Sequence, residues 1–355
     1  TVTFDEAVWV SGSPTIALET GDTDASVSYT SGSGGTTLTF DYTVSTGHNS
    51  DDLEYTATDA LAAAGGAWIR DANTADANTA TLTLPGMGNA GSLGANKALI
   101  IDTTAPTVDN VTSATDNGSY NHVDDGGGDN VIPVTITFTE AVTVVGTPKL
   151  TLETGGTDTD VDYAAGTGTT DLVFNYTIGA GNTSADLDYT AVGALTAGTS
   201  IRDAAKNDAT RTLAAPGQAG SLGANKALII DTTAPTVNSV SSTLANGTYN
   251  LNQLVPIQVE FSEDVIVTGT PLLELETGDA DANASYNAGS GGDELTFNYT
   301  VVTGNESADL DYKATTSLGA GTSIRDAAKN DATRTLPSPG QAGSLGANKA
   351  LVIDA

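Results

Sequence analysis

Cysteine is absent from this 355-residue chain, and basic residues are scarce, with 12 Lys and Arg against 44 Asp and Glu. Without cysteine, the chain cannot be a disulfide-stapled module of the animal extracellular type. The formal charge of −32 repels nucleic acid and anionic lipid, so we expect neither nucleic acid binding nor direct membrane insertion. No apolar run approaches the roughly 20 residues of a membrane-spanning helix. The same charge would attract cations, above all divalent ones.

Catalytic and nucleotide-binding motifs are missing as well. The chain has no Gly-x-Ser-x-Gly elbow, no P-loop, no His-Glu-x-x-His motif and no dinucleotide fingerprint. Its two histidines, His48 and His122, have no second histidine or cysteine beside them to complete a zinc site. Carboxylates are plentiful, but no pair stands out as an acid–base couple. The sequence therefore predicts a protein that is not an enzyme.

What the chain does have is internal repetition. The octapeptide at 101–108 returns letter for letter at 230–237, and Glu140 recurs as Glu263, 123 positions later. We therefore expect three domains. They are repeat 1 (residues 1–102, lacking its first strand), repeat 2 (103–231, with an acidic, glycine-rich insertion at 124–129) and repeat 3 (232–355).

Within each repeat the apolar residues alternate with polar ones. In repeat 2, single threonines separate Val134, Ile136 and Phe138, and a second alternating run contains Leu172 and Phe174. Such alternation is typical of antiparallel strands with one buried face. No amphipathic helix longer than a turn or two is apparent. Seven to nine short strands in about 120 residues predict an all-β fold, a two-sheet Greek-key β-sandwich.

The joints between repeats have a fixed composition. Each repeat ends in an apolar run, at 98–101, 227–230 and 350–353, which predicts a buried closing strand. An Asp-Thr-Thr-Ala-Pro segment follows the first two runs. Proline cannot donate to a strand ladder and holds the residue before it extended, so the linker should be short and stiff. The sandwiches are therefore expected to lie end to end.

A set of motifs recurs in the same order in all three repeats, and in repeat 2 they stand at 137–142, 150–154, 185–189 and 201–208, before the joint. In this order they resemble bacterial immunoglobulin-like repeats, which occur in tandem in large secreted surface proteins and adhesins. The resemblance implies an immunoglobulin-like or cadherin-like sandwich at the bacterial cell surface, often with calcium at the joints. It also implies an extender role, in which the partners of each repeat are its neighbours in the chain.

Two other functions remain open. The chain could be a self-assembling subunit of a surface fibre or S-layer, binding other copies of itself by strand donation, because an incomplete repeat 1 would expose an unpaired edge. Alternatively, it could be an array of carbohydrate-binding modules that recognise cell-surface glycans.

The acidic residues recur at fixed places that suit calcium. Calcium takes six to eight oxygen ligands from carboxylates, amides and loop carbonyls, and residues two apart on a strand point the same way. The turn after Arg202 lacks the Asp-x-Asp-x-Asp-Gly pattern of an EF-hand. The alternatives are a solvated acidic face, or Asp and Asn side chains that bond their own backbone in turns. The candidate ligands are Glu6, Glu140 and Glu263; Asp52 with Glu54, Asp186 with Asp188, and Asp309 with Asp311; Asp203, Asn207 and Asp208, with Asp326, Asn330 and Asp331; and the joint residues Asp102 and Asp231.

We expect the joint aspartates to share an ion with the end of the preceding repeat. The insertion at 124–129 could bind another ion or be a loose acidic loop.

Two tryptophans and two arginines are expected to be structural. Trp9 and Trp68 occur only in repeat 1, where they would help to cover the core, with an aromatic ligand platform as the alternative. Arg202 and Arg325 each precede an aspartate and predict an ion pair that fixes the turn.

Overall fold

The computed structural model describes residues 1–72, 78–123 and 130–355. These residues form twenty-five strands and three helices of four residues each, which confirms the predicted all-β class and the lack of long helices. The described helices include none that is long and apolar enough to cross a membrane. The insertion at 124–129 lies outside the described residues.

Repeat 1 contains one six-stranded sheet in the order β5-β2-β3-β4-β1-β6. Its strands pair antiparallel throughout the described part. The elements are β1 (Val2–Ser11), β2 (Thr15–Leu18), β3 (Ala25–Ser31), β4 (Gly35–Phe40), β5 (Leu61–Ala62), β6 (Trp68–Asp71) and α1 (Leu93–Asn96).

Repeat 2 contains a six-stranded sheet, in which β9 pairs with β7, β12 and β14. It also contains a three-stranded sheet in the order β13-β15-β8. The elements are β7 (Val108–Ser113), β8 (Gly118–Tyr120), β9 (Val131–Val145), β10 (Lys149–Leu152), β11 (Thr159–Ala165), β12 (Thr169–Thr177), β13 (Thr183–Ser184), β14 (Ser200–Arg202), α2 (Leu222–Asn225) and β15 (Leu228–Asp231).

Repeat 3 has the same plan, with a seven-stranded sheet around β18 and a three-stranded sheet in the order β17-β25-β22. The elements are β16 (Val237–Ser242), β17 (Gly247–Tyr249), β18 (Leu254–Thr268), β19 (Leu272–Glu276), β20 (Ala282–Ala288), β21 (Gly292–Thr300), β22 (Glu306–Ser307), β23 (Asp311–Tyr312), β24 (Ser323–Arg325), α3 (Leu345–Asn348) and β25 (Leu351–Asp354).

The cores follow from the period-two pattern. In β9 the alternate residues Ile132, Val134, Ile136 and Phe138 are buried, while the threonines between them lie on the other face. The buried apolar residues form three clusters, and each cluster draws its members from a single predicted repeat. Two sheets packed over one such cluster give repeats 2 and 3 a sandwich-like fold.

Repeat 1 departs from the predicted closing strand. Leu228 and Leu351 lie in strands and are fully buried, but Leu99, at the same place in repeat 1, is 42% exposed and lies outside any strand. The reason is that β15 and β25 pair in parallel with β8 and β17, and residues 1–102 contain no counterpart of those partners. The prediction of a buried strand at 98–101 is therefore wrong. The alternating pattern predicts antiparallel strands, but the β15–β8 and β25–β17 pairs are parallel.

The two tryptophans do not fill the core. Trp9 is 50% exposed on the outer face of the β1–β6 pair, while its neighbour Val8 points inward and is buried. On the same outer face, the guanidinium carbon of Arg70 lies 4.9 Å from the centre of the Trp68 ring, a cation–π contact. The core-filling prediction for these residues is wrong.

Candidate metal centre

Three carboxylates converge at each of the two joints. Asp102, Glu140 and Asp203 bring one oxygen each to within 4.8 Å of one another. The corresponding residues at the second joint, Asp231, Glu263 and Asp326, do the same. The structure therefore brings together six of the predicted ligands in two equivalent triads, which we call joint cluster 1 and joint cluster 2.

The joint aspartate is fixed by its own backbone turn. The Oδ1 of Asp102 accepts a hydrogen bond of 2.8 Å from the N–H of Thr104, and Asp231 accepts one of 2.9 Å from Thr233. This Asx turn holds the carboxylate against the start of the linker. The remaining carboxylate oxygen stays available for a cation.

The glutamate enters each cluster because its strand bulges. Asp171 and Thr169 of β12 pair with Thr137 and Val142 of β9. One residue lies between the two positions in β12, whereas four residues lie between their partners in β9. Glu140 lies in this bulge, and Glu263 lies in the same irregularity of β18. A bulge breaks the alternation of side chains and can redirect one of them. Glu140 and Glu263 can therefore turn toward the joint rather than follow the period of their strand.

The third carboxylate comes from the turn that follows β14 or β24. Asp203 is 6% exposed, and its two oxygens accept hydrogen bonds from the N–H and the amide Nδ2 of Asn207, at 2.8 and 2.7 Å. The turn places Lys206 at a φ of 76°, in the left-handed region. Asp326, Asn330 and Lys329 repeat the arrangement in repeat 3.

The same asparagine crosses the joint. The Nδ2 of Asn207 donates to the backbone carbonyl of Asp102 at 3.1 Å, and Asn330 donates to the carbonyl of Asp231 at 2.9 Å. The N–H of Thr210 donates to the carbonyl of Pro106 at 2.7 Å, which docks the linker on repeat 2. Direct hydrogen bonds thus hold the linker against the following repeat at both joints.

Each cluster joins the end of one repeat to the body of the next. Glu140 and Asp203 both lie beyond the joint at Asp102, and at the second joint Asp231 is the last residue of β15, the closing strand of repeat 2. The ion shared with the end of the preceding repeat stays a prediction. The linker threonines, which the sequence pattern did not indicate, add further contacts with the preceding repeat. The N–H of Thr103 donates to Oδ1 of Asn49 at 2.9 Å, and the hydroxyl of Thr232 donates to the carbonyl of Asn182 at 3.0 Å.

The negative charges in each cluster repel one another. Burial raises the pKa of Glu140, and the charges of Asp102 and Asp203 raise it further. Burial raises the pKa of Glu263 in the same way, with Asp231 and two other aspartates adding to the shift. A bound divalent cation would remove this repulsion, because opposite charge favours the ionised form of a carboxylate.

The acidic pairs before a tyrosine have a different environment. The two oxygens of Glu54 accept hydrogen bonds of 3.0 Å from the N–H groups of Leu93 and Gly94, at the start of α1. Asp188 accepts one of 2.9 Å from the N–H of Gly217, and Asp311 one from Gly340 at the same distance. Neither these residues nor their partners Asp52, Asp186 and Asp309 belong to a joint cluster. Their contacts favour a structural role in anchoring the segment around the short helix.

The other candidate ligands are also outside the clusters. Asp208 pairs with Arg202, with Oδ1 and Nε 2.6 Å apart, and Asp331 pairs with Arg325 at 2.7 Å. The predicted ion pair across the turn is therefore confirmed, with Asp208 rather than the adjacent Asp203 as the partner. Glu6 lies in the equivalent bulge of β1 and is exposed.

Comparison with protein-family models and with curated proteins finds no match to this chain.

The anchoring role of Glu54 gives a first prediction. Burial pushes its pKa upward, but hydrogen bonds from the Ser92 side chain and from three backbone N–H groups lower the pKa below its ordinary value of 4.5. A lowered pKa stabilises the fold above the unfolded value, and this contribution is lost as pH falls through the folded value. We expect Glu54→Gln to destabilise repeat 1 by roughly 1–2 kcal/mol at pH 7, since an amide cannot accept both N–H groups, and by less near pH 3.

The measurement is urea unfolding followed by tryptophan fluorescence, which reports on repeat 1 alone because both tryptophans lie there. Glu19→Gln is the matched control, since Glu19 is exposed in the same repeat. An equal loss of stability for the two variants at pH 7 would contradict the anchoring role.

Proposed function

We propose that this chain is a non-enzymatic extender segment of a bacterial cell-surface adhesin. Its three repeats are immunoglobulin-like sandwiches that follow one another end to end, and calcium at the joints makes the row stiff. The neighbouring repeats of the same chain are the main partners of each repeat. The protein works outside the cell, where calcium is abundant enough to fill weak sites.

The observation that carries this proposal is the duplication of the joint cluster. Two triads of the same composition occur at the two places where one repeat passes into the next. Their carboxylates come from the end of the preceding repeat, a strand bulge and a turn, three places that no local sequence pattern would bring together. A solvated acidic face would not need such a convergence of like charges. Oxygen-only clusters of this kind match the preference of calcium for hard ligands.

The geometry explains how an ion would stiffen the joint. Asp102 belongs to the linker, whereas Glu140 and Asp203 belong to the body of repeat 2. An ion held by all three would join the linker to that body by several metal–oxygen contacts. It would act together with the hydrogen bonds of Asn207 and Thr210, which already cross the joint. Linker and repeat would then move as one unit.

A self-assembling fibre subunit is the second candidate function, and the exposure of Leu99 in repeat 1 favours it. Strand donation between copies would cover that surface. However, β7 and β16 are packed into their own repeats, with Val111 and Val240 fully buried. A copy could donate either strand only by opening one of its own cores, so we prefer the extender.

The test of the extender proposal is a calorimetric titration with calcium. We expect about two ions per chain, with dissociation constants on the order of 10⁻⁴–10⁻³ M, as in extracellular modules. The double variant Glu140→Gln/Glu263→Gln should weaken both sites by more than about tenfold, because each loses one of three charged ligands. Glu153→Gln/Glu276→Gln is the matched control, with one exposed glutamate changed in each of the same two repeats.

Either of two results would contradict the calcium sites. One is the absence of any binding heat up to about 10 mM calcium, well above the weakest affinity expected. The other is equal weakening by the two double variants, which would indicate a diffuse attraction to the acidic surface instead.

A further inference from the structure

The outer face of the β1–β6 pair carries both tryptophans of the chain. Trp9 pairs with Arg70 across the two strands, and Trp68 lies two residues from Arg70 and therefore on the same face. Trp9 and Arg70 are exposed, and Trp68 is half-buried. Two indoles and a guanidinium thus lie next to one another on a solvent-facing surface. We call Trp9, Trp68 and Arg70 the tryptophan strip.

The same face is open in the other two repeats, so its exposure is a property of the fold. Arg202 pairs with Thr143 in repeat 2, and Arg325 pairs with Ile266 in repeat 3. Thr143 is exposed, and Ile266 is 50% exposed, as Trp9 is. What differs in repeat 1 is the set of side chains that the face presents.

Three positions of this face differ together between repeat 1 and the other repeats. Trp9 and Trp68 stand where the paired positions of repeats 2 and 3 hold a threonine or isoleucine and a serine. The third position lies opposite the arginine. It is Thr79 beside Arg70, but in repeats 2 and 3 it is an aspartate that forms an ion pair with the arginine. Arg70 instead lies over the ring of Trp68. An ion-paired patch is thus replaced by an aromatic surface with a hydroxyl group beside it.

The ring of Trp9 is held by the turn between β3 and β4. A Cβ atom at Gly34 would lie 3.7 and 3.8 Å from Cη2 and Cζ3 of Trp9, so the ring lies against this glycine. The N–H of Gly34 donates to the carbonyl of Val8 at 2.7 Å. Oγ of Ser33 accepts from the N–H of Val10 at 2.9 Å. Both hydrogen bonds attach the turn to the neighbours of Trp9, and a ring that is ordered in advance loses little entropy when a ligand binds.

The strip is too small for a protein interface. The β1–β6 pair spans four register positions, from Val8–Asp71 to Ser11–Trp68. With a rise of about 3.3 Å per residue and strands about 4.8 Å apart, it measures about 10 Å in each direction. A stable protein–protein interface buries about 800 Å² on each partner. A surface as small as the strip matches one or two sugar rings instead.

The chemistry of the strip suits a neutral sugar. One side of a pyranose ring presents C–H groups, which pack on the electron-rich face of an indole. The hydroxyl groups lie at the edge of the sugar, where Arg70 can donate and Thr79 can donate or accept. The charge of −32 on the chain would repel acidic sugars. A cationic ligand would meet the guanidinium of Arg70 already in place over Trp68.

We propose that the tryptophan strip binds the sugar rings of a neutral glycan. One ring stacks on the exposed face of Trp9, and hydroxyl groups of the same ring or the next accept hydrogen bonds from Arg70, which Trp68 holds in position. This site gives repeat 1 a recognition role in addition to the extender role of the chain. It does not depend on calcium, because the strip shares no residue with the joint clusters.

The test is a titration of the full chain with neutral tetrasaccharides, followed by tryptophan fluorescence. Both tryptophans of the chain lie in the strip, so the signal reports on this site. The probes are cellotetraose, maltotetraose, mannotetraose and chitotetraose, with tetragalacturonate as the acidic comparison and choline as the cationic one. We expect saturable binding of at least one neutral probe, with a dissociation constant on the order of 10⁻³ M for so small a contact. Added salt should not weaken this binding, since the probe carries no charge.

Variants of the strip locate the binding. Trp9→Ala should weaken it by about fivefold or more, as reported by the remaining Trp68, because the stacking surface is lost. Trp9→Phe should bind with intermediate affinity, because phenylalanine keeps an aromatic face. Ile266→Ala is the matched control, at the same outer position of repeat 3, and should bind as the parent chain does. Unchanged hydrogen exchange in β1 and β4 would show that the variants of Trp9 remain folded.

Three results would overturn the proposal. The first is a lack of saturation by every neutral tetrasaccharide up to about 20 mM, well above the expected dissociation constant. The second is tighter binding of choline or tetragalacturonate than of any neutral probe, which would assign the strip to a charged ligand. The third is equal affinity of the parent chain, Trp9→Ala and Trp9→Phe. None of these results bears on the extender role, which the calcium titration tests separately.

Discussion

Leu228→Ala is expected to lower the free energy of unfolding of repeat 2 by roughly 2–5 kcal/mol. Leu99→Ala, the same substitution at the same place in repeat 1, is expected to cost less than about 1 kcal/mol. The reason is the difference in burial, since Leu228 is fully buried and Leu99 is 42% exposed. Removing three carbon atoms from a packed core leaves a cavity, whereas removing them from a largely exposed side chain leaves none.

Each variant needs a probe that reports on its own repeat, because a chain with three cores need not unfold in a single step. Tryptophan fluorescence follows repeat 1, which holds both tryptophans. Hydrogen exchange at the amides of β9 and β12 follows repeat 2. Similar losses of stability in the two repeats would mean that Leu99 is as well packed as Leu228, which would contradict its exposure in the structure.

The strands of this fold could be predicted from the sequence because the buried positions repeat with period two. Ile136 and Phe138 lie on the buried face of β9 as their alternation with threonine indicates. The same rule could have placed the tryptophans correctly. Val8 and Val10 flank Trp9 on a strand, so a core that takes the two valines must leave Trp9 on the outer face.

The parallel pairing of the closing strands could not be predicted in this way. β15 pairs with β8, which is three residues long and lies more than a hundred positions earlier in the chain. Alternation shows which face of a strand is buried but not which strand lies beside it. The closing strand forms where this partner is present, so the apolar run at 98–101 remains irregular despite a sequence like that of 227–230.

The sequence does not distinguish the acidic residues that cluster from those that do not. Glu140 and Glu54 are both acidic residues at recurring positions, so the sequence predicts both equally as calcium ligands. The difference arises in three dimensions, where a bulge turns Glu140 toward two other carboxylates and Glu54 meets two backbone N–H groups. Like charges raise the pKa of Glu140, and a cation would neutralise them, whereas hydrogen bonds already lower the pKa of Glu54.

The position of Asn207 in its turn could be recognised as a candidate ligand position from the sequence. It follows Asp203 by four residues, as Asn330 follows Asp326, and this spacing predicts a candidate site in each turn. The spacing does not indicate that the amide of this asparagine donates a hydrogen bond to the carbonyl of the joint aspartate. This hydrogen bond attaches the joint to the following repeat. That contact depends on the path of the linker, which is set by its docking on Thr210.

Removal of calcium is expected to have the largest effect on the shape of the whole chain. With calcium, three sandwiches in line should form a rod about 110–140 Å long, given a strand rise of about 3.3 Å per residue. If calcium binds as proposed, a concentration about 100 times its dissociation constant would stabilise each occupied joint by about 2.7 kcal/mol relative to the empty joint. A chelator would then withdraw this stabilisation and restore the repulsion among the three carboxylates, so the joints should bend over a wider range of angles.

Small-angle X-ray scattering and thermal unfolding, each with calcium and with chelator, measure this change. The chelated chain should show a smaller mean maximum dimension and a lower melting temperature for repeats 2 and 3, which supply Glu140 and Glu263 to the clusters. The double variant Glu140→Gln/Glu263→Gln should scatter like the chelated chain even when calcium is present, and Glu153→Gln/Glu276→Gln should keep the response of the parent chain. If calcium and chelator give identical curves for the parent chain, the hydrogen bonds of Asn207 and Asn330 are enough to hold the joints, and calcium has no part in stiffening them.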